Sequence, residues 1–170
     1  MNKIYCYDLN YKFLTSSLSA KLLKRFGRDI PTVVCLGSDK VLSDMIGVLV
    51  ADKLKNLNIN TYVFGGSDFV VSTKNIDYLL SKISSKNILF VDSAISKTKN
   101  NIFFNCEGIK LKNNKFYQGA SICAGTIFFN DNKIQLAEVG IKQVNEYVDN
   151  IVLSITDYLS YLPDKSIKSC

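Results

Sequence analysis

Residues 32–51 read TVVCLGSDKVLSDMIGVLVA, and this stretch decides the fold of the chain. It opens with a short β-branched strand, 32–34, followed by a glycine turn at Gly37 and a polar loop, Ser38-Asp39-Lys40. A helix is then predicted from Ser43 to about Leu57, because apolar residues recur on one of its faces. A strand that turns directly into a helix is half of a βαβ unit, so the stretch predicts a parallel sheet in an α/β fold.

Ser43 and Asp44 stand at the predicted start of this helix. The Ser43 hydroxyl is suited to accept a hydrogen bond from an unpaired amide of the first turn, and a carboxylate at Asp44 suits the positive end of the helix. Turns that follow parallel strands lie at the sheet edge where ligands bind. Asp44 is therefore a candidate site residue.

Two further strand-loop-helix units follow, so that three lie between residues 31 and 92. The last strand is a continuous apolar run that ends in Asp92, which is typical of a strand buried on both faces of a parallel sheet. The predicted strands are 32–34, 61–64 and 88–91, and the predicted helices are 43–57 and 76–83.

An amphipathic helix is predicted before this core, over residues 15–26, because apolar residues recur every four positions. Thr15 or Ser16 is expected to cap the helix and Gly27 to end it. The apolar positions are Leu14, Leu18, Leu22 and Phe26.

The chain changes character after Asp92. A polar loop is predicted over 93–101, and a long apolar stripe predicts a closing helix over 139–162, ended by Pro163. Strand segments are predicted at 102–104, 108–111, 120–129 and 133–136, with turns at 113–114 and 130–132. We expect a single domain, 1–170, with an N-terminal helical segment (1–30), an α/β core (31–163) and a mobile tail (164–170).

The composition is that of a globular chain, with 47% hydrophobic and 21% charged residues among 170. No apolar run reaches the roughly 20 residues that span a bilayer, and the N-terminus lacks the pattern of a secretory signal. A cytoplasmic location without a membrane partner is expected. Although the formal charge is +6, the lysines are spread along the chain, so a solvated surface is favoured over a nucleic-acid interface.

The absence of histidine excludes Ser-His-Asp and Cys-His catalysis and histidine-ligated zinc. The five cysteines are far apart and form no CxxC pair, which disfavours a zinc ribbon or a disulfide framework. Proton chemistry in this chain must therefore come from carboxylates, lysine, tyrosine or a thiol. Most of the cysteines are expected to be small buried apolar residues. They are Cys6, Cys35, Cys106, Cys123 and Cys170.

Asp44 and Asp92 form the most economical acid/base pair in such a chain. Both follow strands of the predicted parallel sheet, so they can meet at one edge, where like charge keeps one of them protonated. The helix amides near Asp44 favour its anionic form, which suggests Asp44 as base and Asp92 as acid. Two alternatives remain open: a divalent metal bridging the pair, or two structural acids, one serving the helix dipole and one ending a strand.

Asp39 and Asp68 are further candidates, since each lies in a turn at a strand end, although the turn itself explains their presence. Gly37 and Gly65-Gly66 look like phosphate-binding turns. No GxGxxG or Walker pattern accompanies them, so a nucleotide site is only weakly supported.

Three blocks of sequence resemble a known family. Residues 37–40 (GSDK) with 43–47 (SDMIG) resemble the Gly-Thr-Asp-Arg…Gly-Asp-x-x-Gly-Pro signature of YyaC-type sporulation proteins, which are relatives of the spore germination protease and of hydrogenase maturation proteases. Residues 64–68 (FGGSD), with Asn75 after them, resemble that family's second block, and residues 91–94 (VDSA) its Ile-Asp-Ala strand end. This chain has Gly47-Val48 in place of Gly-Pro, and Ser72 where a histidine is expected.

The resemblance implies a three-layer α/β/α sandwich with a mostly parallel central sheet and a peptidase-like site. The acids of that site would be Asp44 and Asp92, acting as an aspartate pair or as metal ligands. Substrate-binding positions would be Asp39, Lys40, Gly65, Asp68 and Ser72. A forespore or spore-interior location is also implied.

The leading hypothesis is a sporulation-associated, peptidase-like protein that hydrolyses a peptide bond in a peptide or protein substrate. The alternative is a family member without catalysis that binds a peptide or protein partner in the same pocket. A third hypothesis is a basic protein that binds nucleic acid.

Overall fold

A β-sheet lies at the centre of the computed structural model, and the other elements pack against it. The structure describes residues 4–97, 100–130, 133–136 and 139–162. Within these residues the sheet has seven strands in the order β1-β5-β8-β4-β2-β3, with β9 paired to β8. The strands are β1 (Ile4–Asp8), β2 (Thr32–Cys35), β3 (Val63–Phe64), β4 (Ile88–Ser96), β5 (Asn101–Asn105), β8 (Ala120–Asn130) and β9 (Lys133–Leu136). Two more strands, β6 (Gly108–Lys110) and β7 (Phe116–Gln118), form a separate hairpin.

Strands β3, β2, β4 and β8 pair in parallel at the centre of the fold. All four residues of β2 are buried, as are the first four of β4. This is the burial that continuous apolar strands predict when both faces of a parallel sheet are covered. Strands β1, β5 and β9 add antiparallel pairing.

The two faces of the sheet are covered by different elements. One face packs against helices α1 (Leu14–Phe26), α2 (Ile46–Asn56) and α4 (Ile141–Ser160). The other packs against α3 (Ile76–Lys82) and the β6–β7 hairpin. The predicted α/β sandwich is thereby confirmed.

Helix α1 follows the predicted period, since Leu14, Leu18, Leu22 and Phe26 are all buried. Gly27 ends the helix with φ of 59°, and its N–H donates to the Leu23 carbonyl. The predicted cap at Thr15 or Ser16 is wrong, because the helix begins at Leu14 and no side chain caps its amides. Burial of the apolar stripe outweighs capping here, since most helical stability in proteins comes from tertiary packing.

Strand β1 was not expected from the sequence, and it places part of the predicted N-terminal helical segment in the sheet. The polar loop predicted over 93–101 is wrong at 93–96 and at Asn101, which lie in strands. Strand β4 continues to Ser96 by pairing with β8, so Asp92 lies inside a strand rather than at its end. Strand β7 was likewise not predicted.

The closing helix is confirmed as α4, and the 113–114 turn is confirmed with Asn114 at φ 62°. Residues 131–132 of the predicted 130–132 turn, Pro163 and the 164–170 tail lie outside the described residues. In the described part of the chain, no helix combines the length and the apolar character needed to cross a membrane.

Candidate active site

A cavity of about 90 Å³ opens just beyond the end of β2, beside the part of β4 that continues past it. Its volume corresponds to roughly three water molecules in the liquid, far below the several hundred Å³ of sites that enclose a whole small molecule. The cavity therefore suits one side chain or one peptide group of a longer ligand. It is lined by Leu36, Gly37, Asp44, Ser72, Thr73, Asp92, Ser93, Leu111 and Lys112.

Asp44 reaches the cavity because two glycines allow close contact between β2 and the chain that follows it. A Cβ on Gly47 would lie 1.8 Å from the Leu36 carbonyl oxygen, and one on Gly37 would lie 2.4 Å from the Asp44 carbonyl oxygen. The backbone N–H of Ser38 also donates to that Asp44 oxygen at 2.9 Å. The two ends of the turn, Ser38 and Asp44, are thus held together, and Asp44 is fixed at the edge of the sheet.

Ser43 does not cap the helix, so that prediction is wrong. Residues Leu42–Asp44 form a separate 3₁₀ turn, and α2 begins at Ile46 without a side-chain cap. The Ser43 hydroxyl is buried and has no hydrogen-bond partner among the described residues. Its carbonyl instead accepts a 2.6 Å bond from Thr126 on β8, which ties the turn to the sheet.

Asp92 enters the cavity from inside β4, at the level where Cys123 of β8 is its paired neighbour. The carboxylate oxygen Oδ1 accepts a hydrogen bond from the Ser93 N–H at 2.8 Å. Next to it, the Ser93 hydroxyl is buried without a partner in the described chain. Asp44 and Asp92, far apart in sequence, thus line one cavity.

Burial raises the pKa of Asp92 to about 7, and the negative charge of Asp44 adds to the rise, while the Ser93 N–H and Lys112 oppose it. Burial also raises the pKa of Asp44, where Lys112 opposes the rise. Near neutral pH, Asp92 therefore exchanges a proton readily. An acid/base pair needs one such group beside an ionised one.

The thiols beside Asp92 are held in their protonated form. Burial raises the pKa of Cys123 to about 12, with Asp92 adding to the effect. Burial also raises the pKa of Cys35. Both remain uncharged near neutral pH, and the thiolate is the reactive form of cysteine.

Lys112 is a lining residue that the sequence did not indicate. It is exposed and follows the buried Leu111 at the end of β6, where the hairpin covers the sheet. Hydrogen bonds anchor the hairpin at both ends: Ser121 donates to the Gly108 carbonyl at 2.8 Å, and Tyr117 to Asp77 at 2.9 Å. No local sequence pattern indicates that Lys112 is a site residue, because the hairpin reaches the cavity only through tertiary packing.

The predicted substrate-binding residues separate into two groups. Ser72 lines the cavity, whereas Asp39 and Lys40 lie in the exposed part of the turn after β2. Gly65 and Asp68 belong to another network, in which Lys55 donates to the Gly65 carbonyl and to Asp68, each at 2.7 Å.

Asn75, part of the second sequence block, supports the cavity without lining it. Its side-chain oxygen accepts the Ser72 N–H at 2.8 Å, and its amide donates to the Val70 carbonyl at 2.9 Å. The loop that carries Ser72 and Thr73 is thereby held against Leu36, which forms a parallel bridge with Val71.

The cavity offers few side chains that could bind a metal ion. Among the described residues, no group of three or more cysteine and acidic side chains is arranged to hold an ion. Catalytic zinc sites use three protein ligands, whereas this cavity brings together two carboxylates. The residues do not fit a tightly held metal of that kind.

Comparison with protein families identifies the relationship of the chain. The model described as "Protein of unknown function (DUF1256)" matches residues 3–155. The chain belongs to this family. No curated protein matches it at a significant level.

Proposed function

We propose that this member of the DUF1256 family is a peptidase-like protein in which Asp44 and Asp92 hydrolyse a peptide bond. The observation that carries the proposal is the meeting of the two acids in one small cavity, together with a pKa of about 7 at Asp92. The resemblance to YyaC-type sporulation proteins and the germination protease supports it and suggests a role in the spore.

In the proposed reaction, the Asp44 carboxylate removes a proton from a water molecule as the water attacks the peptide carbonyl carbon. Protonated Asp92 donates its proton to the carbonyl oxygen or to the leaving amine. The C–N bond breaks, and the products are a carboxylic acid and an amine. Lys112, positively charged at the cavity wall, opposes the loss of charge from Asp44 and favours the developing oxyanion.

The small volume of the cavity favours a ligand that is a chain, of which only one unit enters the cavity. A space of about 90 Å³ accommodates one residue, while the rest of an extended peptide lies outside. The hydroxyl groups of Ser72, Thr73 and Ser93 offer hydrogen bonds to its backbone.

The test compares Asp44→Asn and Asp92→Asn with the wild-type chain on a library of fluorescence-quenched peptides. Each variant should lose about 10²–10⁴-fold in rate, the usual contribution of one acid or base. Glu107→Gln is the matched control, since this exposed acid lies outside the cavity and outside the predicted substrate-binding positions. Cleavage that persists in both variants at the wild-type rate would rule out the acid pair.

Binding without turnover is the second candidate function, favoured by Ser72 at the position where the resembled family has a histidine. Captured peptides would then remain intact, and binding would still depend on the cavity residues. Mass spectrometry of the bound peptides separates the two functions.

A further inference from the structure

Strand β1 forms one edge of the sheet, and within the described residues it pairs only with β5. The opposite edge of the ordered path, β3, is two residues long, whereas β1 has five. A strand at an edge presents unpaired N–H and C=O groups that can template another strand. Of these two edges, β1 therefore offers the longer row of unpaired backbone groups to another strand.

The pairing shows which groups of β1 face outward. The Leu9 N–H donates to the Asn100 carbonyl at 2.6 Å, so Leu9 and Asn100 form a directly opposed hydrogen-bonded pair. In an antiparallel ladder such pairs alternate. The backbone N–H and C=O groups of Tyr5 and Tyr7 therefore form hydrogen bonds with β5. Those of Ile4, Cys6 and Asp8 point away from the sheet.

This edge carries few of the features that usually protect an edge strand, since its one charged residue is Asp8 at the end. Residues Ile4–Asp8 read IYCYD, with no proline, no lysine and no bulge in the register with β5. Ile4 is 57% exposed and Cys6 is exposed. Beside the strand, Tyr7 stacks on Tyr11, with ring centroids 6.3 Å apart.

We propose that β1 is a homodimer interface, in which two copies pair antiparallel about a two-fold axis at Cys6 and join their sheets. In this register the outward-facing residues meet as Ile4 with Asp8 of the second copy, Cys6 with Cys6, and Asp8 with Ile4. The two Asp8 carboxylates lie at opposite ends of the interface and do not repel each other.

A second copy suits this edge because the strand is its own complement. The outward-facing backbone positions 4, 6 and 8 are symmetric about Cys6, so each one meets a hydrogen-bonding position of the second copy, and the residues that flank Cys6 are both tyrosine. On the α1 face of the sheet, Tyr5 comes opposite Tyr7 of the second copy and extends the Tyr7–Tyr11 stack. Aromatic cross-strand pairs of this kind stabilise antiparallel sheets.

The first test is the molar mass in solution, measured by sedimentation equilibrium over a range of concentrations. Wild type should sediment as a dimer, and Cys6→Lys should weaken association at least about tenfold, because it places like charges directly opposite each other. Cys6→Ser is the matched control and should remain dimeric. A monomeric wild type, or a dimer that Cys6→Lys leaves unchanged, overturns the proposal.

Two substitutions at Ile4 test the register. Ile4→Asp would face Asp8 of the second copy and should dissociate the dimer, whereas Ile4→Lys would face the same acid and should be tolerated. Thermal unfolding of each variant checks that both fold, as expected for an exposed position. Equal effects of the two variants would contradict this pairing.

Cross-linking tests directly whether the two Cys6 residues lie side by side, without a substitution that weakens the dimer. Paired residues of this type have Cα atoms about 5.5 Å apart, within reach of a short thiol cross-linker. In a Cys170→Ser background, a bismaleimide should join two chains through Cys6, and Cys6→Ser should abolish the product. Since burial and Asp8 raise the pKa of the Cys6 thiol, the reaction is run above neutral pH. Linkage that persists without Cys6 counts against the proposed axis.

Discussion

Gly47 controls the geometry of the candidate site at the residue scale. Any side chain there would be driven into the Leu36 carbonyl, since a Cβ would lie only 1.8 Å from its oxygen. This contact lets α2 begin immediately beside the end of β2. Asp44, in the turn between them, is held at the cavity by the same contact.

We therefore predict that Gly47→Ala lowers the free energy of unfolding by about 3 kcal/mol or more, because backbone must move to admit the methyl group. Urea unfolding followed by circular dichroism measures the change. Gly140→Ala is the control, since a Cβ there meets no atom within 4 Å and the residue has φ of −68°. Equal losses in the two variants would show that the contact is not tight.

Asp92 should make the stability of the protein depend on pH. Its pKa is about 7 in the folded chain against an ordinary value of 3.8. The folded state binds this proton more tightly, so the carboxyl group stabilises the fold most at low pH. That contribution is lost as the pH rises through about 7.

Between about pH 4 and pH 8, the wild type should lose on the order of 2–4 kcal/mol relative to Asp92→Asn, at about 1.4 kcal/mol for each pKa unit. Urea unfolding of both proteins across this range measures the difference. Asp39→Asn, at an exposed position, should follow the wild-type curve. Parallel curves for wild type and Asp92→Asn would disprove the elevated pKa.

The β6–β7 hairpin is the element that completes the site. It is fixed to α3 by the bond from Tyr117 to Asp77 and to β8 by the bond from Ser121. Arg25 of α1 donates to the carbonyls that flank the hairpin, Cys106 at 2.7 Å and Gly119 at 3.2 Å. Lys112 is therefore carried on a braced element, although its side chain is exposed. It opposes the rise in pKa at both Asp44 and Asp92.

Replacing the ammonium group should thus raise the pKa of Asp44. We predict this for Lys112→Met, measured by NMR titration of the ¹³C-labelled carboxyl groups. Lys110→Met is the matched control, because Lys110 is exposed on the same hairpin but does not line the cavity. A shift of the same size in the control would assign the effect to net charge rather than to the position of Lys112.

The whole molecule should respond to its own concentration if β1 joins two copies. A partner that binds only the folded state stabilises it by mass action. The midpoint of thermal unfolding should therefore rise with protein concentration in the wild type. In Cys6→Lys it should become independent of concentration, and a wild-type midpoint that stays constant would argue for a monomer.

Much of the sandwich could be predicted from the sequence because its signals are local. The period of Leu14, Leu18, Leu22 and Phe26 places α1 against the core, and the apolar runs of β2 and β4 predict strands buried on both faces. The order of strand, turn and helix also indicated that Asp44 and Asp92 could lie at one edge. Their catalytic role stays a prediction.

Other features depend on contacts between distant parts of the chain, and only the tertiary structure decided them. Ile4–Asp8 became a strand because β5, about a hundred residues later, pairs with it. Ser93 to Ser96 joined β4 because β8 offers a partner ladder, and this pairing outweighs the polar character of the two serines.

The site divides in the same way. The residue order alone placed Asp44 in the turn after the first strand and Asp92 directly after the apolar run of β4, since both positions depend on a local alternation of apolar runs and turns. Tertiary packing decided that Lys112 reaches the cavity, that Ser43 ties the turn to β8 instead of capping a helix, and that Gly65 and Asp68 lie elsewhere. Burial and nearby charge set the protonation of Asp92, and both arise only when the chain has folded around it.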